Sequence, residues 1–279
     1  MTSRSPGIRL PEQNIMRAKK SLGQNFLRDE RIIERIVAAL SLSEGITVVE
    51  IGPGRGALTE KLIDTGADVV AIEIDRLLVP ALRTQFHHSP NFRCIEADVL
   101  QIDFATTLDR TEPDKTRLVG NLPYYISTAI LQKLTAERSL FSNIVFMLQR
   151  EVVDRIAAGP GNSERGFLTV LTESAFTVER LFDVPPEAFT PQPKVWSSIV
   201  ALTPKPPSTG DAPGFRRLVS AAFAQKRKTL LNNLKHYAAD AESALTNAAI
   251  DPRRRAETLN LDEWYSLFDR FKTAKEIVE

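Results

Sequence analysis

Ile46-Thr47-Val48-Val49-Glu50-Ile51-Gly52-Pro53-Gly54-Arg55-Gly56 is an apolar run of strand length that breaks into a glycine-rich turn. β-Branched residues dominate its first half, which suits a short strand buried on both faces. From Ala57 onward the spacing becomes helical. A strand, a glycine-rich turn and a helix in this order mark a nucleotide-binding crevice. The spacing here, G-P-G-R-G, is not the G-x-G-x-x-G of dinucleotide folds. Gly52 and Gly54 let the backbone approach a ligand closely, but Pro53 supplies no N–H for a pyrophosphate.

Outward from this unit, the chain alternates. Residues 31–40 read as an amphipathic helix with Ile32, Ile33, Ile36, Val37 and Leu40 on one face. Further strands are expected over residues 68–74, 92–96, 118–120 and 143–148. Helices are expected from about 75 to 86, over 127–135 and over 151–158. Such alternation predicts an α/β fold with a doubly wound, mostly parallel sheet. The pattern is strand-like again from about Ser174, through 178–182 and 197–202. The Pro-rich stretch 203–213 reads as a linker, and beyond it only helical patterns remain. The expected division is a basic segment 1–27, an α/β domain 28–203, a linker 204–213 and a helical domain 214–279.

Ligands of doubly wound sheets bind beyond the carboxyl ends of the strands. Gly52, Glu73, Asp98 and Asn121 fall at four such ends. Glu73 is placed to accept both hydroxyls of a ribose, a requirement that NAD and S-adenosylmethionine share. Asp98 is placed to accept a hydrogen bond from the amino group of a bound adenine. Glu50 adds negative charge where a cationic sulfonium would lie. Strand-end solvation and helix capping compete for the same carboxylates, and Asp75 is the expected cap of the helix that follows it.

The 279 residues, 43% hydrophobic and 25% charged, fit an ordinary globular protein. No apolar run approaches the ~18–20 residues needed to span a bilayer. Residues 1–20 lack the apolar core of a secretory signal, so a cytoplasmic protein is expected. Cys94 is the only cysteine, which excludes disulfides within the chain and a cysteine-rich zinc site. A buried, inert thiol is expected there. His87, His88 and His236 are scattered, so no metal is expected. The net charge is only +1, but residues 1–27 carry +4 and residues 212–239 carry +6 with no acid. Such local basic segments attract phosphates, although a solvated helix face would look the same.

Asn121-Leu122-Pro123-Tyr124 follows the fourth strand and has the form [DNS]-[LIP]-P-[YF], used where an exocyclic amino group is methylated. The adenine amino nitrogen is a poor nucleophile because its lone pair is delocalised into the ring. The Asn121 carboxamide oxygen and the Leu122 carbonyl can each accept one of its N–H bonds, concentrating density on nitrogen. Pro123 stiffens the turn, and Tyr124 offers a ring on which the base stacks. A Pro-containing turn with a buried Tyr is the plainer alternative.

These segments, taken together, resemble those of the ribosomal RNA adenine N6,N6-dimethyltransferases, most of all the bacterial branch acting on small-subunit (16S) rRNA. The likeness rests on S-L-G-Q-N-F-L at residues 21–27, on residues 50–56, Glu73-Ile74-Asp75, Ala97-Asp98 and residues 121–128. It continues through Gln149-Arg150-Glu151-Val152, F-T-P-Q-P-K-V at 189–195, Ala222-Phe223 and R-K-T-L-L-N-N-L at 227–234. The resemblance implies a Rossmann-like fold dependent on S-adenosyl-L-methionine, with Asn25 and Leu27 closing over a cofactor site completed by Gly52, Glu73, Asp98 and Asn121. It also implies dimethylation of two neighbouring adenosines near the small-subunit rRNA 3′ end, within an immature subunit, by a protein expected to be monomeric. Tyr124 is then expected on one face of the extruded base and Phe189 on the other. The basic segments, with Arg227 and Lys228, are candidates for RNA contact. Tyr125, often Asn in the family, and Leu22, commonly Phe, are departures beside the cleft. Competing readings are a macrolide-resistance-type methyltransferase of large-subunit (23S) rRNA, an amino-DNA methyltransferase, and a mainly non-catalytic assembly checkpoint.

Overall fold

Val48 and Val49 are both fully buried, on opposite faces of the same strand, because that strand is central in a sheet covered on both sides. In the computed structural model, which describes residues 23–108, 112–123 and 125–276, the elements run as follows. β1 (Phe26–Leu27) precedes α1 (Glu30–Leu40), β2 (Thr47–Ile51) and α2 (Ala57–Ile63). β3 (Asp68–Glu73), α3 (Leu78–Gln85), β4 (Phe92–Glu96) and α4 (Phe104–Thr107) follow. Then come β5 (Thr116–Asn121), α5 (Ser127–Glu137), β6 (Asn143–Gln149), α6 (Arg150–Ile156) and α7 (Phe167–Ala175). β7 (Phe176–Val184), β8 (Phe189–Thr190) and β9 (Ser197–Pro204) complete the strands. The last four helices are α8 (Pro213–Ala222), α9 (Leu230–Leu234), α10 (Ala241–Asn247) and α11 (Leu261–Glu276).

The main sheet has the order β4-β3-β2-β5-β6-β9-β7. β2 to β6 pair in parallel, whereas β9 is antiparallel to both β6 and β7. The chain order reverses between β2 and β5, and a crevice opens at that switch point. Asp29 caps α1, its carboxylate accepting from the Arg31 and Ile32 N–H groups at 3.0 and 3.2 Å. Ile32, Ile33, Ile36 and Leu40 then face the core.

Two expectations change. Ser174 lies not in a strand but in the last turn of α7, its Oγ donating to the Leu171 carbonyl at 2.9 Å. α7 is buried nearly all round, so its sequence F-L-T-V-L-T-E-S-A carries no one-sided stripe. Leu168 and Ala175 pack on the sheet, while Val170 and Leu171 belong to the core of α8–α11 around Trp264 and Phe215. Nor is the Pro-rich stretch a free tether. Arg138, 5% exposed, donates to the Lys205 carbonyl at 3.0 Å and to Asp211 Oδ2 at 2.7 Å. Lys205 in turn donates to the Glu173 carbonyl on α7 at 2.8 Å. Prolines and short polar residues gave this stretch a loop-like composition, and a buried guanidinium fixes it.

Candidate active site

β2, β3 and β5 end level because their parallel registers pair Ile51 with both Ile72 and Gly120. Beyond their ends and that of β4 lies a cleft of about 210 Å³. Gly52, Glu73, Asp98 and Asn121 line it, and so do Asn25, Leu27 and Leu122. The short β1 closes one side, held antiparallel to β8 by the pairs Phe26–Thr190 and Leu27–Phe189.

Gly54 has φ +60°, and a Cβ there would meet the Phe26 ring at 3.0 Å. Only glycine lets the turn lie flat under that ring. The Arg55 guanidinium stacks on the same ring at 4.4 Å. Phe26 is a site residue that periodicity misses, since a two-residue strand has no period to read. Gly120 is also closely packed: a Cβ would meet Leu122 Cδ2 at 2.8 Å and the Ile51 carbonyl at 3.0 Å.

Glu73 is 5% exposed at the end of β3. Its Oε1 accepts from the Asp75 N–H at 2.8 Å and its Oε2 from the Gly54 N–H at 3.2 Å. Burial raises its pKa above the usual carboxylate value, against the pull of these backbone hydrogen bonds. Each carboxylate oxygen has a second lone pair for a ligand hydroxyl. Asp75 caps the turn that leads into α3, its carbonyl accepting from the Leu78 and Val79 N–H groups at 2.8 and 3.2 Å. Its Oδ1 accepts from the Leu77 N–H at 3.0 Å and its Oδ2 from Gln24 at 3.1 Å, so it joins the preceding turn to the segment entering β1.

Glu50, 2% exposed, accepts from the Thr59 hydroxyl of α2 at 2.6 Å. Burial pushes its pKa up to about 7, with the Thr59 hydrogen bond opposing and the Glu73 charge adding. Asp98 is half-buried, and its Oδ1 accepts from the Leu100 N–H at 2.9 Å, so it also shapes its own turn. Ile74 and Leu100 add apolar lining beside the two acids. A purine nucleoside fits this set: carboxylates with lone pairs to spare, apolar walls for a flat ring, and a backbone without side chains at Gly52 and Gly54. The negative charge of Glu50 and Glu73 suits a cationic group.

Asn121 Nδ2 donates to the Asn25 carbonyl at 2.9 Å. That bond sets the carboxamide plane and leaves Oδ1 as its acceptor. Leu122 is anchored by its N–H to the Met147 carbonyl at 3.2 Å, with its side chain 1% exposed. Tyr124, Leu22 and most of the basic segment 1–27 lie outside the described residues. Phe189 is not a cleft wall: it is 1% exposed, in the core with Leu27, Ile33, Val184 and Ile199, and absent from the cleft lining. Its place in β8 opposite Leu27 turns the ring into the body of the domain. Tyr125, 59% exposed, stands on the rim beside Gly23.

Cys94 is buried, and desolvation raises its thiol to about 11, which leaves it inert. No cluster of metal-ligating side chains occurs among the described residues. No described helix is long and apolar enough to cross a membrane. Lys226, Arg227 and Lys228 are exposed on the turn between α8 and α9, not on a helix face. Thr229 ends that turn by capping α9.

A mostly parallel sheet with this strand order, an acid at the end of β3 and the sequence N-L-P-Y at the end of β5 define an S-adenosylmethionine-dependent methyltransferase. The model of the ribosomal RNA adenine dimethylase family matches residues 15–273, and the chain belongs to that family. It is 47% identical over 255 residues to the ribosomal RNA small subunit methyltransferase A of Hahella chejuensis (strain KCTC 2396), covering 90% of this chain and 92% of that one. The protein of the same name from Geobacter sulfurreducens (strain ATCC 51573 / DSM 12127 / PCA) is 44% identical over 260 residues, with 90% and 94% covered. Among solved structures, a dimethyladenosine transferase from Plasmodium falciparum superposes with a TM-score of 0.73 at 25% identity, covering 90% of this chain and 98% of that one. The 23S rRNA methyltransferase ErmE gives 0.66 at 27% identity, with 89% and 100% covered.

Proposed function

We propose that the protein transfers methyl groups from S-adenosyl-L-methionine to the N6 amino groups of two adjacent adenosines near the 3′ end of 16S rRNA, giving N6,N6-dimethyladenosine. The observation that carries this reading is the Asn121 carboxamide, clasped to the Asn25 carbonyl on the rim of a purine-sized cleft. Bound there, S-adenosylmethionine supplies an electrophilic sulfonium methyl group. Glu73 holds the ribose hydroxyls, Asp98 the adenine amino group, and Gly52, Asn25 and Leu27 close around them. Asn121 Oδ1 and the Leu122 carbonyl accept the N–H bonds of the target amine, and Tyr124 covers one face of the extruded base. The work of these residues would be alignment of the target nitrogen with the methyl donor, not proton abstraction by a strong base, and the cationic amine formed would then shed its proton to water. A monomethylated amine has one N–H left, so the second transfer proceeds with one of the two acceptors unused.

Phe189 acts as a positioning residue: it backs Leu27 in β1 and so fixes the segment that carries Asn25. The protein acts as a cytoplasmic monomer on an immature small subunit, reading it through the exposed cations around Arg227 and Lys228. A large-subunit rRNA substrate is the competing assignment. Labelled methyl transfer to small-subunit particles lacking the modification, compared with transfer to large-subunit rRNA, tests the choice. Label in the small-subunit RNA alone is expected, and label in the large-subunit RNA alone contradicts it.

A further inference from the structure

Trp196, 47% exposed, is a large apolar side chain on the surface with no role in the site described above. Register locates it. Ser197 pairs with Gln149 on β6, and Asn121 on β5 pairs with Met147 of the same strand. The Trp196 carbonyl accepts from the Arg150 N–H at 3.0 Å, where β6 passes into α6. β9 runs antiparallel to β6, so Trp196 leaves the sheet at the end where Asn121 stands, two strands across and three residues further along, roughly 14 Å away. The segment that carries it begins at β8, under β1, and so runs from the closed side of the cleft to β9. Tyr125, four residues beyond Asn121, presents a second ring on the rim.

The charges around Trp196 favour a nucleic acid. Lys194 is exposed two residues away, and the Arg150 side chain is half exposed, with Asp154 no nearer than 3.9 Å. Of the neighbouring acids, Asp154 and Asp183 bind Arg180 at 2.7 and 2.5 Å, which leaves Glu151 exposed beside Arg150. Exposed aromatic rings beside cations are the means by which proteins hold single-stranded nucleic acid. At ~3.4 Å per stacked nucleotide, roughly 14 Å is the reach of about four nucleotides from the target.

We propose that Trp196, with Tyr125 on the rim, stacks on an unpaired rRNA nucleotide a few positions along the strand from the extruded adenosine. The assignment rests on the function proposed above and adds how the strand beside the target is held.

Intrinsic fluorescence tests it, because the chain has two tryptophans and Trp264 is fully buried. Titration of the full-length protein with an RNA hairpin containing the two adjacent adenosines should quench Trp196 emission, and Trp196→Phe should abolish the quench. Trp196→Ala should raise the KM for RNA about tenfold with the Kd for S-adenosylmethionine unmoved, and Trp196→Phe should restore most of that loss. Methylation of the hairpin by the unaltered protein with no quench and no rise in KM for Trp196→Ala overturns the stacking and leaves the functional reading intact. Quenching by the hairpin together with no methylation of small-subunit particles supports the stacking and overturns the functional reading. Quenching that follows protein concentration in the absence of RNA assigns the ring to a protein contact and overturns the proposal.

Discussion

The Asn121 side chain donates to the Asn25 carbonyl at 2.9 Å, joining residues 96 positions apart and tying the end of β5 to the segment that enters β1. One carboxamide thus holds the segment entering β1 with its nitrogen and leaves its oxygen as an acceptor at the cleft. Neither half of that arrangement survives replacement by an apolar side chain.

Asn121→Ala is therefore expected to lower kcat by at least about 10²-fold, the usual cost of removing one preorganised hydrogen-bond partner at a reacting group. The melting temperature should move little, since the side chain is only half-buried. Asn121→Asp keeps an acceptor but loses the donor to Asn25, so it should also weaken cofactor binding. Single-turnover methylation and cofactor titration separate the two effects. Near-normal turnover in Asn121→Ala contradicts the assignment.

Phe189→Ala should be a stability variant first. The ring is 1% exposed among Leu27, Ile33, Val184 and Ile199, and such truncations cost ~3–5 kcal/mol. Phe189→Leu should recover much of that stability. Denaturant unfolding of the two variants is the measurement. A native-like midpoint for Phe189→Ala contradicts the buried placement and returns the ring to the cleft.

The sheet was legible where one physical signal acted alone. The buried run 46–51 and the four polar strand ends identify β2 to β5 and the crevice, because parallel strands put consecutive apolar residues in the core. Legibility stopped where tertiary contacts decide. α7 is apolar on every side because it serves two cores, so its period is hidden. β1 and β8 are two residues each, too short for alternation, and their pairing is what buries Phe189 and brings Phe26 onto Gly54. Asp75 caps the turn into α3 as its residue type suggests, but its second carboxylate oxygen takes Gln24, 51 residues earlier, which no local pattern shows. Only the fold shows that Arg138 turns a Pro-rich linker into a fixed strap.

Glu50 makes stability depend on pH. Its carboxyl titrates at about 7 when folded and near 4.5 in an ordinary environment, so folding takes up a proton between those values. Stability should fall as pH rises through this window, by about 3 kcal/mol in all, and level off above it. Glu50→Gln should flatten the profile and be the more stable form at pH 8. Affinity for a cationic methyl donor should rise across the same window. Thermal melts from pH 5 to 8 check the first point, and parallel profiles for the two proteins contradict it.

Arg227 and Lys228 project from the α8–α9 turn with no ion pair to another described residue. Replacing both with Glu should weaken rRNA binding and flatten its salt dependence, by a slope of roughly 0.7–0.9 for each phosphate no longer neutralised. Binding measured between about 50 and 200 mM salt, where such electrostatic attraction changes most, gives the slope. An unchanged slope makes the turn a solvated surface.

Dimethylation of adenosine in small-subunit rRNA by the Asn121 cleft is decided by mass spectrometry of nucleosides from small-subunit particles incubated with the protein and labelled S-adenosylmethionine. Labelled N6,N6-dimethyladenosine is expected at two adjacent positions near the rRNA 3′ end, and none with Asn121→Ala. Label confined to monomethyladenosine, to large-subunit RNA, or undiminished in Asn121→Ala would contradict that assignment.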